Sequence, residues 1–230
     1  MRLTPLIPHV EEAATTWQRF LTDEDFINPA TRVGMFYYSQ GAFRQAEPWW
    51  EMALNSGRDR LGSAHPDIAH SLNNLAALYE SQGRYSEAEP PLQEALALRK
   101  QLLGEAHPAV ATSLNNLAVL YKSQGRYSEA EPLHQEALAL RKQLLGEAHP
   151  DVAHSLNNLA ALYESQGRYS EAEPLHQEAL ALRKQLLGEA HPDVAHSLNN
   201  LAALYESQGR YSEAEPFYQE ALALMKQLLG

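Results

Sequence analysis

The stretch HPDVAHSLNNLAALYESQGRYSEAEP, which runs from His149 to Pro174, recurs without change from His191 to Pro216. Both copies belong to a repeat of 42 residues, and every copy opens on a His-Pro pair. The clear repeats begin at His65, His107, His149 and His191. Self-similarity with a period of about 20 to 50 residues is typical of stacked architectures, in which each unit packs on its neighbours. The repeat therefore indicates a solenoid.

Each repeat is predicted to form a hairpin of two helices, and the third repeat shows why. Pro150 suits the first turn of a helix, because its missing N–H would have no partner there. Gly167 suits the left-handed residue that follows a helix. Apolar residues between them recur at helical spacing, at Val152, Leu156, Leu159 and Tyr163. The first helix of the hairpin is thus predicted to have one apolar face.

The second helix of the repeat has its own signals. Ser170 and Glu173 are spaced as a capping box at its start, and Gly188 marks its end. Arg183 and Lys184 lie near that end, where positive charge interacts favourably with the helix dipole. A single hairpin cannot bury the apolar faces of both helices, so neighbouring hairpins must stack. We therefore predict an all-α, right-handed superhelical solenoid built from helical hairpins.

The repeat also sets the predicted layout of the chain. A degenerate copy of the repeat lies upstream. Its segment SQGAFRQAEPWWEMAL places Gly41 and Pro48 one period before Gly83 and Pro90. Ahead of it, Val10–Leu21 has the pattern of one more amphipathic helix. The predicted layout is an N-terminal helix within 1–22, a degenerate repeat over 23–64, and repeats over 65–106, 107–148, 149–190 and 191–230.

Composition narrows the class of protein. Hydrophobic residues make up 44% of the 230 residues, which favours a packed chain over a disordered one. The formal net charge of -11 argues against nucleic acid as a partner, because phosphate binding needs a basic surface. The opening MRLTPLIPHV lacks the apolar run of a signal peptide, no stretch reaches membrane-spanning length, and the chain has no cysteine. We expect a cytoplasmic protein that contacts no membrane.

The spacing of small and apolar residues identifies the kind of hairpin. In the third repeat, the residues that define this spacing are Leu156, Leu159, Ala160, Tyr163, Gly167, Tyr169, Ala172 and Ala179. Through them the chain resembles the tetratricopeptide repeat family. Its longer repeat, with LNNLA and YSEAEPL, is similar to that of kinesin light chains. The resemblance implies a non-enzymatic scaffold whose concave groove binds an extended peptide or a helix of a partner protein.

Two other functions stay open at this point. The LIPH opening and the worn first copy look like arrays attached to bacterial signalling ATPases of the nephrocystin type, which would make the chain a sensor arm. An enzyme or metal site in the groove is disfavoured, because His149 and His154 are five residues apart and so point about 140° apart on a helix. No catalytic residue, metal or cofactor is predicted, and His134 and His176 are expected to be half-buried packing residues.

The resemblance assigns four groove-facing positions to the first helix of each repeat. They are His70, Asn73, Ala77 and Glu80; Thr112, Asn115, Val119 and Lys122; His154, Asn157, Ala161 and Glu164; and His196, Asn199, Ala203 and Glu206. The first asparagine of each Asn-Asn pair is expected to hydrogen-bond a peptide backbone, since an amide both donates and accepts. The second, at Asn74, Asn116, Asn158 and Asn200, is expected to satisfy backbone carbonyls at the junction between repeats.

The charges in the predicted groove are mixed. Lys122 stands in register with Glu80, Glu164 and Glu206. A ligand with a basic stretch and one acidic group opposite Lys122 is therefore favoured.

The fourth repeat differs from the third at three positions over 40 residues, where Phe217, Tyr218 and Met225 replace Leu175, His176 and Arg183. Each change makes the repeat more apolar. Leu222, Met225 and Leu229 are expected to be partly exposed. Apolar patches of this kind often mark interaction sites, which predicts homo-association through the C-terminal end.

Overall fold

The computed structural model describes residues 7–16, 20–23 and 25–229, and every regular element in these ranges is an α-helix. The chain divides into two compact units, residues 1–105 and 106–230. The first unit contains α1 (Ile7–Thr15), α2 (Asn28–Ser39), α3 (Phe43–Leu61), α4 (Pro66–Ser81) and α5 (Tyr85–Leu103). The second contains α6 (Pro108–Ser123), α7 (Tyr127–Leu145), α8 (Pro150–Ser165), α9 (Tyr169–Leu187), α10 (Pro192–Ser207) and α11 (Tyr211–Leu229).

Helices pair and stack in the same way inside each unit. In the second unit, α6 packs on α7, α8 on α9 and α10 on α11, while α7 contacts α8 and α9 contacts α10. In the first unit, α2 pairs with α3 and α4 with α5, α3 contacts α4, and α1 packs on α2. The predicted all-α fold of stacked helical hairpins is confirmed. The helix predicted over Val10–Leu21 is helical in α1 as far as Thr15, whereas Phe20 and Leu21 lie beyond its end and residues 17–19 lie outside the described residues.

Histidine caps the first helix of each clear repeat. His149 has an extended backbone (φ -137°, ψ 142°), and its Nδ1 accepts from the Asp151 N–H at 3.1 Å. This satisfies one of the donors that a helix start leaves unpaired. His65, His107 and His191 make the same contact. The prediction that His149 lies at a helix start is confirmed.

The predicted capping box at the second helix is wrong. α9 begins at Tyr169, directly after Arg168, and no side chain caps it. Glu173 instead faces the next hairpin, where it accepts from Arg210 Nη1 at 2.8 Å. Arg168 is held in turn by Glu171, with Nε–Oε1 and Nη2–Oε2 distances of 2.8 and 2.7 Å. The carboxylate that the box would need is used to join two hairpins.

The turn inside each hairpin requires glycine for conformational reasons. Gly167 has φ 71°, in the left-handed region, and nothing lies within 4 Å of where a Cβ would stand. The Arg168 N–H reaches back to the Tyr163 carbonyl at 2.8 Å across this turn. Backbone strain rather than crowding therefore excludes other side chains. The predicted left-handed glycine after α8 is confirmed.

The core is built by stacking rather than by single hairpins. Val152, Leu156 and Ala179 of the α8–α9 hairpin are buried in one cluster, and Leu138 of the preceding hairpin packs against it. Alanine at the helix contacts, such as Ala179, lets the backbones approach closely. Each hairpin thus completes the core of its neighbour.

Arg183 plays a different role from the one its position suggested. Its side chain is buried at 8% exposure, and Nη1 donates to the Asp193 carbonyl at 3.0 Å and to Ser197 Oγ at 2.8 Å. Arg141 makes the same pair of contacts with Asp151 and Ser155, at 3.2 and 2.7 Å. We call this contact the arginine clip. It ties the second helix of one hairpin to the first helix of the next.

Candidate functional site: the inner face of the first helices

Hydrogen bonds set the first helices of the second unit side by side in register. Asn158 Nδ2 donates to Asn115 Oδ1 at 2.8 Å, and Asn200 Nδ2 donates to Asn157 Oδ1 at 3.5 Å. Each bond joins residues one repeat plus one position apart, which places equivalent positions of α6, α8 and α10 in one row. We call the predicted groove positions on these three helices the inner face.

The expected orientation of the first asparagine is wrong at Asn115 and Asn157. Their side chains are buried, at 4% and 5% exposure. Asn115 Oδ1 accepts from His134 Nδ1 at 3.2 Å, and Asn157 Oδ1 accepts from His176 Nδ1 at 2.9 Å. Both amide oxygens are therefore used inside the protein, by the partner helix and by the next repeat.

The second asparagine crosses the junction between repeats, as expected, but its partner differs from the prediction. Asn158 and Asn200 are half-buried and donate to an asparagine side chain rather than to a backbone carbonyl. Only their Nδ2 atoms are used in these bonds. Their Oδ1 atoms have no hydrogen-bond partner among the residues that the structure describes.

The two histidines beneath this row are more buried than the sequence suggested. His134 and His176 are each 1% exposed, and the Nε2 atom of each has no hydrogen-bond partner. Burial, assisted by the positive charge of Lys122, lowers the pKa of His134 to about 4. The ring is therefore neutral near pH 7. Because Asn115 Oδ1 can only accept, the proton lies on Nδ1.

The sixteen predicted groove positions fall into three groups by exposure. His70, Thr112, His154, His196, Asn199 and Glu206 are exposed. Asn73, Ala77, Glu80, Val119, Lys122, Ala161, Glu164 and Ala203 are half-buried. Asn115 and Asn157 are buried. The positions from Thr112 onward belong to the second unit, whereas His70, Asn73, Ala77 and Glu80 lie on α4 of the first.

Asn199 shows what holds the buried asparagines in place. At the position of His134 and His176, the α11 helix carries Tyr218, whose hydroxyl donates to Glu206 Oε2 at 2.6 Å. Asn199 therefore has no imidazole to bind, and its side chain is exposed. The buried asparagines Asn115 and Asn157 thus share two partners, an imidazole of the second helix and an amide of the next repeat.

The charged positions differ in their surroundings. Burial lowers the pKa of the Lys122 ammonium, and the Glu164 carboxylate opposes that shift. Glu164 also accepts from Ser207 Oγ at 3.3 Å, on the next first helix. On α4, burial raises the pKa of Glu80 to about 7. Lys122 and Glu164 thus carry opposite charges that influence each other across neighbouring helices of the inner face, while Glu80 is only partly ionised near neutral pH.

Within the described ranges, no group of three or more histidine and carboxylate side chains is placed to hold a metal ion. None of the described helices combines the length and the apolar character needed to cross a membrane.

Solved structures share this arrangement. BtubC (BKLC) from P. vanneervenii superposes with a TM-score of 0.83 at 28% identity, over 100% of this chain and 93% of that one. A variant of a kinesin light chain-like protein of Podosopora anserina, with nearly identical TPR-like repeats, gives 0.76 at 25% identity, over 91% of this chain and 99% of that one. The Rap protein in complex with Competence and Sporulation Factor shares the fold alone, with a TM-score of 0.74 at 18% identity over 96% of this chain and 58% of that one.

The sequence comparisons agree with the geometry. No curated protein matches this chain. The family model described as tetratricopeptide repeat matches residues 25–101, 92–143, 109–185 and 151–227, which together span most of the sequence. With hairpins that stack through a 42-residue period, the chain belongs to the tetratricopeptide repeat family, and its repeat resembles the kinesin light chain-like type.

Proposed function

We propose that the inner face of the second unit binds an extended segment of a partner protein. The tetratricopeptide repeat is typically a non-enzymatic scaffold for protein–protein interaction, which supports this class of function. The observation that carries the proposal is the register of α6, α8 and α10, set by the bonds from Asn158 and Asn200. Because equivalent residues recur along one row, the face suits a ligand whose own groups recur, such as a peptide backbone.

The second asparagine of each pair, rather than the first, is the proposed contact with the peptide backbone. Asn158 and Asn200 keep Oδ1 free to accept a backbone N–H, whereas Asn115 and Asn157 are buried. Packed helices lie about 8–10 Å apart, and an extended chain rises about 3.3 Å per residue. Successive asparagines would therefore meet every third residue of the peptide.

Small side chains on the inner face leave room for such a chain. Val119, Ala161 and Ala203 are half-buried at equivalent places on the three helices. Side chains of this size do not extend over the row of asparagines. A peptide can thus approach the asparagine oxygens without moving a large side chain.

Charge supplies the proposed selectivity. Lys122 would pair with an acidic residue of the ligand, and Glu164 and Glu206 with basic ones. By the spacing above, one acidic residue should be separated from the first basic residue by about three positions. The formal net charge of -11 supports a protein ligand with basic groups rather than a nucleic acid.

A peptide library tests this function. The intact chain should select peptides that carry an acidic and a basic residue three positions apart. Lys122→Glu, which introduces the residue found at this place in the other repeats, should select peptides with a basic residue at both positions. If both proteins select the same peptides, the proposed role of Lys122 in selecting the charge of the ligand is wrong.

A second contact is proposed for α11, with another copy of this chain as the occupant. Tyr218, Leu222 and Met225 are 38%, 57% and 38% exposed, whereas α10 lies against the equivalent face of α9. On that face of α9, Arg183 donates hydrogen bonds to the Asp193 carbonyl and the Ser197 hydroxyl of the following helix, α10. Methionine at the equivalent place needs neither. The apolar face of α11 therefore suits a self-complementary contact between two copies.

A further inference from the structure

The first unit contains an open cavity that the inner face does not use. Its volume is about 590 Å³, within the range of ligand pockets, and it lies between α3, α4 and α5. Leu54, Leu75, Pro90 and Pro91 supply apolar surface, and Glu51 belongs to its polar lining. The cavity is thus apolar on one side, and its polar lining contains three carboxylates, Glu51, Glu87 and Glu94, and one cation, Arg58.

Pro91 accounts for the opening. The repeats of the second unit have a larger apolar residue at this place. Leu175 packs against the same buried cluster as Leu138, the counterpart of Leu54. Phe217 lies with its ring centroid 5.6 Å from that of Tyr205, the counterpart of Tyr79. Because the compact proline ring does not reach as far, Tyr79 stays half-buried beside the cavity, whereas its counterparts Tyr163 and Tyr205 are buried.

A second substitution changes the polar groups at the same place. In the second unit, the Tyr163 hydroxyl donates to Glu131 at 3.1 Å and accepts from Gln135 Nε2 at 3.2 Å. The counterpart of Gln135 is Glu51, a carboxylate that cannot donate when ionised. Among the described residues, the Tyr79 hydroxyl has no hydrogen-bond partner. The cavity therefore contains a hydroxyl oxygen whose usual donor is missing.

Glu51 also differs from the other carboxylates of the cavity. Glu87 is paired with Arg84 at 2.6 Å, and Glu94 is paired with Arg58 at 2.6 Å. Glu51 is exposed and has no basic partner among the residues that the structure describes. Its negative charge is near enough to Tyr79 to raise the pKa of the phenol, after burial itself. An arriving cation would find Glu51 unpaired and a free hydroxyl acceptor beside it.

We propose that this cavity binds the lysine or arginine side chain of a partner peptide in which apolar residues flank the basic one. The aliphatic stem would lie on Leu54, Pro90 and Pro91, as long cationic side chains commonly pack. The cationic head would donate to Glu51 and to the Tyr79 hydroxyl. A volume of about 590 Å³ exceeds one side chain, and the apolar surface accommodates the flanking residues.

This site is independent of the proposed inner-face function. The cavity uses Leu75 and Tyr79 of α4, whereas the predicted groove positions on that helix are His70, Asn73, Ala77 and Glu80. Residues Leu75 and Ala77 are two positions apart, which places them on different sides of a helix. The other walls belong to α3 and α5, the second helices of their hairpins.

Binding of three peptides to the intact chain tests the proposal. The probes are acetylated, amidated pentapeptides Ala-Leu-Xaa-Leu-Ala in which Xaa is lysine, glutamine or glutamate, with affinity measured by calorimetry. We expect the lysine peptide to bind at least about tenfold more tightly than the glutamine peptide, a factor that corresponds to about 1.4 kcal/mol. The glutamate peptide should bind most weakly of the three.

Two variants restore residues that the repeats themselves use, so both should fold. Glu51→Gln should remove the preference for lysine over glutamine. Pro91→Leu should reduce binding of the lysine peptide at least about tenfold by filling the cavity, with helicity unchanged. As a matched control, Gln135→Glu places the same charge in the second unit, where Leu175 occupies the corresponding space, and should leave lysine-peptide affinity unchanged.

Equal affinity for the lysine and glutamine peptides would overturn the proposal. So would full binding by a natively helical Pro91→Leu protein. If Glu164→Gln abolished binding of the lysine peptide and Glu51→Gln did not, the peptide would lie on the inner face, and the cavity proposal would fail while the proposed function stood.

Discussion

Replacing Arg183 by methionine tests how the α8–α9 hairpin holds α10. The clip from Arg183 Nη1 reaches the Asp193 carbonyl at 3.0 Å and Ser197 Oγ at 2.8 Å. Methionine is the residue that α11 has at the equivalent place, and the substitution keeps the unbranched stem of the side chain but omits the guanidinium carbon and its terminal nitrogens. The change therefore removes the two hydrogen bonds and the charge while disturbing the packing little.

Two opposing effects set the magnitude. Hydrogen bonds from a charged donor contribute about 1.5–3 kcal/mol. Burial lowers the pKa of Arg183, which shows that keeping this charge inside has a free-energy cost that methionine would relieve. Because Ser197 is fully buried and would lose a partner, we expect the hydrogen-bond loss to dominate. The free energy of unfolding should fall by about 1–2 kcal/mol.

A double-mutant cycle with Ser197→Ala isolates the contact. Urea unfolding of the wild type, both single variants and the double variant should give a coupling of about 1 kcal/mol between the two side chains. Amide hydrogen exchange should rise mainly in α10. The control is Lys184→Met, which removes the exposed ion pair with Glu220 and should cost less than about 1 kcal/mol. Additive single effects, within about 0.3–0.5 kcal/mol, would refute the clip.

The other predictions concern pH and assembly. The pKa of His134 falls to about 4 on folding, so stability should be lost as pH falls from about 6.5 to 4, by about 3 kcal/mol. His134→Leu should abolish that part of an acid-unfolding curve. The pKa of Glu80 is raised to about 7 on folding, so its contribution to the free energy of unfolding should fall as pH rises from 4.5 to 7, which opposes this trend. Glu80→Gln should therefore stabilise the protein at pH 8 by about 1–2 kcal/mol, after allowing for its partial exposure, in thermal unfolding. Met225→Arg should weaken concentration-dependent self-association in light scattering, and a strict monomer at about 100 μM in the unaltered protein would contradict the α11 contact.

The hairpins and their ends were predictable because local chemistry determines them. Pro150 has no N–H to lose in a first helical turn, and Gly167 alone accepts a φ of 71° without strain. The spacing of Leu156 and Leu159 then defines an apolar face that only a neighbouring hairpin can cover. Each of these signals acts within a few residues, so the helices of the repeat could be predicted without knowledge of the packing.

The prediction of a capping box was wrong although the spacing of its residues was correct. Ser170 and Glu173 satisfy the local pattern, but the Glu173 carboxylate binds Arg210 of the next hairpin. An ion pair between residues 37 positions apart competes with a cap that the local sequence could have made. The 42-residue period contains the signal for this contact, because Glu131 and Arg168 pair at the same separation.

The sequence by itself determined the hairpin, its turn and the row on which the asparagines stand. Only the tertiary structure decided that Asn157 is buried and Asn158 is left with a free oxygen. These neighbours are about 100° apart around the helix, at the edge of its apolar face. At that edge, burial depends on what the second helix of the same hairpin and the next hairpin place opposite, here His176 and Asn200. The same reason applies to Arg183 and to the cavity at Pro91, since the environment of each is set by a helix that is distant in the sequence.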